Sequence, residues 1–126
     1  MKTPAPLTAK KQAGNQAEAL ARQFLQQKGF DFHSSNFQCK TGEIDLIMSD
    51  RDMLVFVEVR YRNDSSLGSP LETVTRAKQR KLMRTAQFFL QQNCGNRWPP
   101  CRFDVVGISG NLHDSPVIDW IPNAFG

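Results

Sequence analysis

The sequence predicts an α/β domain in which two helices pack on a mixed sheet, with the element order α-β-β-β-α-β-β. Apolar residues recur at helical spacing in two segments, one near the N-terminus and one after residue 71. Between them, residues 42–62 contain two apolar runs separated by a short polar turn, which is the pattern of a β-hairpin. Two further β-type runs, at 103–108 and 116–121, follow the second helical segment.

The length and composition indicate a single globular domain. The chain has 126 residues, of which 40% are hydrophobic and 22% charged, so it can bury a core without disulfides or metal staples. No apolar run reaches the length of a membrane helix, and the first residues lack the apolar core of a secretory signal. The three cysteines have no CxxC spacing, which predicts reduced thiols, no zinc site and a cytoplasmic protein without membrane contact.

The first residues predict a flexible arm at 1–13, rich in Pro, Ala and Lys, followed by a single domain at 14–126. The first helix is predicted to begin near Asn15 and to end at Gly29. Asn15 and Glu18 have the spacing of a capping box, which would give Glu18 a purely structural role. Glu18 also leans toward the apolar stripe of this helix, from which a third carboxylate could reach a site on the sheet.

A weaker strand at 30–37 leads into the hairpin, GEIDLIMSDRDMLVFVEVRYR, whose apolar strands are interrupted by Asp45 and Glu58. If the turn is centred on Arg51-Asp52, the strand register places Asp45 opposite Glu58, and a loop of odd length would destroy that register. Arg51-Asp52 is a poor two-residue turn sequence, so a four-residue loop is expected. The sequence thus predicts two facing carboxylates on neighbouring strands.

Facing carboxylates in apolar strands indicate a candidate metal site. Alternation places Glu43, Asp45 and Ile47 on one face of the first strand, and Glu58 and Arg60 on one face of the second. The opposed acids would have Cβ atoms about 4.5–5.5 Å apart and would repel each other. A divalent cation such as Mg²⁺ relieves this conflict; the alternative is that both acids lie in water at frayed strand ends. Arg60 could neutralise Glu58, hold a phosphate or form an ordinary ion pair.

A loop at 61–70 precedes the second helix, which is predicted to run from Leu71 or Glu72 to Asn93. The net charge is +4, and no acidic residue occurs between Glu72 and Asp104. Such a one-signed block is typical of nucleic-acid binding, and a solvated helix face is the alternative. The candidate binding residues of this helix are Arg76, Lys78, Arg80, Lys81 and Arg84.

Five segments together carry a resemblance to a known family. They are GNQAEALARQFL, GEIDLI, LVFVEVRYR, the KQRKL of Lys78 to Leu82, and RFDVV. On these segments the chain resembles the YraN-like family of small bacterial proteins. That family is similar to the PD-(D/E)xK nucleases, a superfamily that includes restriction enzymes and archaeal Holliday-junction resolvases. The resemblance implies a restriction-endonuclease-like mixed sheet with helices packed on it.

The resemblance also implies a Mg²⁺- or Mn²⁺-dependent endonuclease that hydrolyses phosphodiester bonds in DNA, including branched or structured DNA. Asp45 and Glu58 take the positions of the catalytic acids and metal ligands, and Glu18 takes that of a third metal ligand. Arg60 stands where these nucleases usually have a catalytic lysine, and Ile44 stands where they have a proline. The similarity to resolvases further implies a homodimer.

Arg60 cannot act as the general base of a nuclease, because arginine stays protonated in proteins. Whether the chain can catalyse hydrolysis is therefore an open question. Arg60 could still bind the scissile phosphate or stabilise transition-state charge. Lys78 leans toward the apolar side of its helix and could replace the missing lysine, or it could extend along the helix edge into water. Two alternatives to an endonuclease remain: a non-catalytic nucleic-acid-binding module on a degenerate nuclease fold, and a protein-interaction domain whose basic helix docks an acidic partner.

Overall fold

The structure, a computed structural model, describes residues 8–62 and 68–126. The helices in this part of the chain are α1 (Ala9–Gln27) and α2 (Arg76–Cys94), and a short 3-10 helix covers Pro70–Thr73. The strands are β1 (Asp31–Cys39), β2 (Gly42–Asp50), β3 (Met53–Arg62), β4 (Cys101–Ser109) and β5 (Val117–Phe125). None of the helices described is long and apolar enough to cross a membrane.

The strands form one mixed sheet in the order β1-β2-β3-β4-β5. Neighbouring strands are antiparallel except β3 and β4, which are parallel and are connected through α2. The predicted fold class, with the order α-β-β-β-α-β-β and two helices packed on a mixed sheet, is confirmed.

The two helices cover opposite faces of the sheet. Leu25 of α1 packs with Val55 and Val57 of β3, and we call this side the α1 face. Phe89 of α2 packs with Phe56 of β3, and we call this side the α2 face. Because side chains alternate along a strand, β3 supplies both cores at once and is the central buried strand of the domain.

The hairpin has the predicted register. Ile47 pairs with Phe56 in the antiparallel ladder of β2 and β3, as the sequence predicted. The expected four-residue loop is wrong, because Asp50 pairs with Met53 and leaves only two residues in the turn. Arg51 makes this possible by taking a left-handed conformation, with φ of 60°.

The predicted start of the first helix is wrong. Helix α1 begins at Ala9, and its N-cap is Thr8, whose Oγ1 accepts a hydrogen bond of 3.2 Å from the Lys11 amide. Asn15 and Glu18 therefore lie inside the helix and form no capping box, because Thr8 already satisfies the helix terminus. Of the predicted arm at 1–13, residues 9–13 are helical and residues 1–7 lie outside the described part of the chain.

The second helix also begins later than predicted, at Arg76. Its N-cap is Thr75, whose Oγ1 accepts a hydrogen bond of 3.1 Å from the Lys78 amide. The residues before Arg76 that predicted an earlier start form the separate 3-10 helix, which is capped by Ser69. Extended backbone at Val74 separates this 3-10 helix from α2. In the predicted loop at 61–70, strand β3 continues through residue 62, and residues 63–67 lie outside the residues that the structure describes.

The last strand is longer than its predicted range of 116–121. Strand β5 covers Val117–Phe125 and includes Pro122. It forms an edge of the sheet and pairs only with β4, so a proline without a backbone donor is tolerated there.

Candidate active site

The ladder between β2 and β3 stops at the first hairpin carboxylate. Paired residues run from Asp50–Met53 to Leu46–Val57. Beyond this point the Asp45 Oδ2 atom accepts a hydrogen bond of 2.8 Å from the Val59 amide. The Asp45 side chain thus replaces a backbone acceptor, and Asp45 forms no ladder pair with Glu58.

Strand β2 changes its alternation at the same place. Leu46 packs in the core on the α1 face, whereas Ile44 packs in the core on the α2 face. In a regular strand, residues two apart share a face, so the pleat is interrupted at Asp45. The expectation that Glu43, Asp45 and Ile47 share one face is therefore wrong, and the interruption turns the Asp45 carboxylate into the gap between the strands.

Glu58 enters this gap from β3 and is 6% exposed. Its Oε1 atom lies 3.7 Å from Arg60 Nη1, which is a loose ion pair. Its buried Oε2 atom has no hydrogen-bond partner among the residues described. Buried polar atoms normally have a partner, so this oxygen requires either a proton held between the two carboxyl groups or a bound cation.

The two carboxyl groups lie within hydrogen-bonding reach of each other, so a proton on one is shared with the other. Burial, followed by the charge of Asp45, raises the pKa of Glu58 to about 8. Burial also raises the pKa of Asp45, although the Val59 amide opposes that rise. The pair therefore retains a proton near neutral pH unless a cation takes the place of that proton.

Glu18 lies on α1 beside the same gap. Together with Glu43 and Asp45 it lines an open cleft of about 400 Å³, whose other lining residues are Lys11, Gly14, Asn15, Asn36 and Gln38. Burial, followed by the charges of Asp45 and Glu43, raises the pKa of Glu18 to about 7. The structure thus brings Glu18 into the electrostatic neighbourhood of the pair, and this carboxylate is free of any capping role.

Asn36 connects the acids of this cleft, and sequence reasoning missed it. With its amide nitrogen turned toward them, Asn36 Nδ2 donates to Glu18 Oε2 at 3.0 Å and to Glu43 Oε1 at 3.1 Å. Asn36 has φ of 55°, a left-handed conformation that asparagine tolerates better than most residues. The only signal in the sequence was the Ser-Ser-Asn interruption in a segment that otherwise alternates.

The acids do not form a closed cage. Within residues 8–62 and 68–126, no three His, Cys, Asp or Glu side chains are arranged so that they could hold a metal ion. Asp45 and Glu58 are thus the close pair, and Glu18 stands farther out with Asn36 as its partner. Two carboxylates with open positions suit Mg²⁺ better than an ion that needs a dedicated protein cage.

Arg60 is fixed in place by the 3-10 helix. Its Nε atom donates to Thr73 Oγ1 and its Nη2 atom donates to the Thr73 carbonyl, both at 3.0 Å. The 3-10 helix can approach the sheet because residue 107 is glycine, and a Cβ atom on Gly107 would collide with Pro70. The Arg60 guanidinium is therefore held at the rim of the pair and is 35% exposed.

Lys78 also acts on the carboxylate pair. It is half-buried near the start of α2, and its positive charge lowers the pKa of both Asp45 and Glu58. On Glu58 this effect is larger than that of Arg60. Lys78 forms no ion pair within 4.0 Å with another described residue. The structure thus places an uncommitted ammonium group near the acids.

The basic residues of α2 form an exposed row on the side of the helix away from the sheet. Arg76, Arg80, Lys81 and Arg84 are all exposed, whereas the intervening Leu82 is buried. None of the four forms an ion pair with a residue that the structure describes. The predicted exposed face is thus present, and its binding of nucleic acid remains a prediction.

Comparison with known proteins gives consistent matches over most of the chain. The model of the family described as "Uncharacterised protein family UPF0102" matches residues 17–108, a range that contains every candidate site residue. A UPF0102 protein of Pseudomonas savastanoi pv. phaseolicola is 48% identical over 120 residues, covering 95% of this chain and 98% of the relative. A UPF0102 protein of Vibrio campbellii is 50% identical over 119 residues, covering 94% and 95%.

Proposed function

We propose a function for this chain, which belongs to the UPF0102 family: metal-dependent endonuclease cleavage of DNA by phosphodiester hydrolysis. The observation that carries the proposal is the buried Glu58 Oε2 atom, which has no hydrogen-bond partner among the described residues and belongs to a carboxyl group within hydrogen-bonding reach of Asp45. A divalent cation would bind both carboxylates and remove their repulsion. Mg²⁺ or Mn²⁺ fits, because each accepts two carboxylates and leaves positions for water and a substrate phosphate.

The bound metal would lower the pKa of a coordinated water and stabilise charge that develops on the phosphate. Asp45 and Glu58 would hold it, and Glu18 would assist from the α1 side of the cleft. The Asp45 carboxylate is held in orientation by the Val59 amide, which fixes the position of the site relative to the sheet.

The cations at the rim would act on the phosphate. Arg60 is held by Thr73 and stays protonated, so it would bind a phosphate oxygen and stabilise transition-state charge. Lys78 would supply the ammonium group that β3 lacks, because its charge already acts on both carboxylates. The exposed arginines of α2 would contact the DNA backbone and give binding that depends on salt.

The test is cleavage of labelled single-stranded, flapped and four-way-junction DNA in Mg²⁺ or Mn²⁺, with EDTA as the metal-free control. Asp45→Asn keeps the shape of the side chain and removes its charge, and Asp31→Asn alters an exposed acid at the start of β1 as the matched control. We expect Asp45→Asn to lower kcat/KM by at least about 100-fold, because even outer-shell partners of metal ligands typically contribute 10- to 100-fold. Cleavage by Asp45→Asn at the wild-type rate would overturn the proposal.

A second candidate function is a nucleic-acid-binding module without catalysis. It is favoured by Arg60, which occupies the position of the usual lysine and is engaged by Thr73. In that case no DNA form is cleaved, Arg80→Ala weakens DNA binding, and Asp45→Asn leaves binding unchanged. Metal-dependent cleavage that Asp45→Asn abolishes would exclude this second function.

A further inference from the structure

The exposed side of α2 contains an aromatic residue among its cations. Phe88 is 39% exposed, whereas the next residue, Phe89, is 4% exposed and packs in the core on the α2 face. A single exposed apolar side chain is common on protein surfaces and by itself indicates nothing. The possible role of Phe88 depends on the residues around it on α2.

Phe88 continues the basic row along the helix. It follows Arg84 by one turn and Arg80 by two, so it lies about 40° from Arg84 around the helix axis. Lys81 lies about 20° from it on the same exposed side. A shallow hollow of about 360 Å³ surrounds the ring, and its lining residues are Arg84, Gln87, Phe88 and Gln91.

The charge of this row is complementary to a polyanionic partner. Helix α2 contains no Asp or Glu, and its exposed cations form no ion pairs with the described residues. A DNA duplex offers phosphates to such a row but keeps its base faces stacked inside. An unpaired strand offers phosphates and exposed base faces together, which is the combination that basic grooves with aromatic side chains bind.

We propose that the exposed face of α2 binds an unpaired segment of DNA, with a base stacked on Phe88 and the adjacent phosphates on Arg80, Lys81 and Arg84. The Gln87 and Gln91 amides flank the ring and hydrogen bond to base edges. Lys78 precedes Phe88 by ten residues, which is about 15 Å along the helix. A strand that continued along α2 toward its N-terminal end would approach Lys78, whose charge acts on Asp45 and Glu58. This inference rests on the proposed function for its ligand, DNA, and does not require cleavage.

Fluorescence anisotropy in EDTA tests the proposal, because cleavage cannot occur without metal. A labelled oligodeoxynucleotide of mixed sequence is titrated with protein as a single strand and as a blunt duplex. The variants are Phe88→Leu, which keeps an apolar side chain but removes the ring, and Phe88→Trp, which keeps a stacking surface. Phe88 is exposed, so these changes leave the core intact, and circular dichroism checks that each variant is folded.

We expect the wild type to prefer the single strand, and we expect Phe88→Leu to weaken single-strand binding about tenfold, within the range for loss of one stacked base. Phe88→Trp should retain that binding, and the duplex affinity should not change in any variant. Equal affinity of the wild type for both forms, unchanged single-strand binding by Phe88→Leu, or no DNA binding at all would overturn the inference. Cleavage by the wild type and by Phe88→Leu is measured separately in Mg²⁺, so that failure of the single-strand inference and failure of the proposed cleavage are told apart.

Discussion

Two carboxylates buried in the same sheet have opposite surroundings. Asp104 on β4 is fully buried, and Glu58 on the neighbouring β3 is 6% exposed. Both Asp104 oxygens accept hydrogen bonds from the Arg102 guanidinium, at 3.0 and 3.3 Å. The Trp120 indole N–H and the backbone N–H of Asn123 each donate a further hydrogen bond of 2.9 Å to Asp104. Glu58 has a loose contact with Arg60 and a second carboxyl group, that of Asp45, within hydrogen-bonding reach, and no N–H group of the described residues donates to its Oε2 atom.

This difference separates a carboxylate with a structural role from one to which we assign a function only as a proposal. At Asp104 the fold supplies donors from two strands, which offsets the cost of burying the charge and ties β5 to β4. At Glu58 the same sheet supplies a second carboxylate instead, and the two groups repel each other when both are ionised. Polar groups that remain unsatisfied in this way are expected where a protein binds a ligand, because the ligand completes the set.

The largest expected effect is the loss of stability when the Asp104 carboxylate, with its four hydrogen bonds, is removed. Asp104→Ala leaves Arg102, the Trp120 indole and the Asn123 amide without their acceptor, and we expect it to lower the free energy of unfolding by about 3–5 kcal/mol. The matched control is Asp50→Ala, since Asp50 is a partly exposed partner of Arg102, at 3.9 Å. Its removal should cost less than about 1 kcal/mol. Urea denaturation measures the free energy of unfolding of both variants. Equal losses in Asp104→Ala and Asp50→Ala would show that the hydrogen bonds of Asp104 add no special stability.

The next effect concerns the cation near the unsatisfied site. Lys78→Met keeps the length of the side chain and removes its charge, so we expect kcat for DNA cleavage to fall about 100-fold, as for loss of an electrostatic stabiliser. Lys81→Met alters an exposed lysine on the same helix and is the matched control, with an effect on DNA affinity and little effect on kcat. Equal kcat losses in both variants would show that Lys78 acts only as one more surface charge.

A smaller effect is a gain of stability when the charge conflict is removed. The pKa of Glu58 is about 8 in the folded protein, above its ordinary value of 4.5, so between these pH values the folded state binds more protons than the unfolded state. Without metal, the wild type should therefore lose stability as pH rises from about 5 to 8. Glu58→Gln should flatten this decline and be more stable at pH 8 by roughly 1–2 kcal/mol. Thermal unfolding in EDTA at a series of pH values measures this stability difference. Parallel pH profiles for the wild type and Glu58→Gln would contradict the prediction.

The parts of the fold that depend on side-chain periodicity could be predicted from the sequence. The hairpin register followed from the alternation of apolar residues and the even length of the turn, and the pairing of Ile47 with Phe56 confirms it. The element order followed in the same way from helical and strand periods. These signals are repeated over many residues, so a single exception does not change the result.

The features that escaped prediction depend on single residues. Asn15 has the capping-box spacing with Glu18, yet the helix is capped by Thr8, whose N3 residue is a lysine, so the local capping pattern pointed to the wrong residue. Ser69 and Pro70 are a true helix-start signal, but they begin a separate 3-10 turn. The interrupted pleat at Asp45 and the left-handed Asn36 arise from contacts between strands, which a reading of one strand at a time cannot contain.

Calorimetric titration with Mn²⁺ tests the central claim most directly, namely that Asp45 and Glu58 together bind a divalent cation. Performed near pH 7.5 in buffers of different ionisation enthalpy, it reports both binding and proton release. We expect one Mn²⁺ per chain, bound with release of the shared proton, with loss of binding in Glu58→Gln and retention in the Asp31→Asn control. No Mn²⁺ binding by the wild type, or equally tight binding by Glu58→Gln, would show that the two carboxylates do not form a metal site.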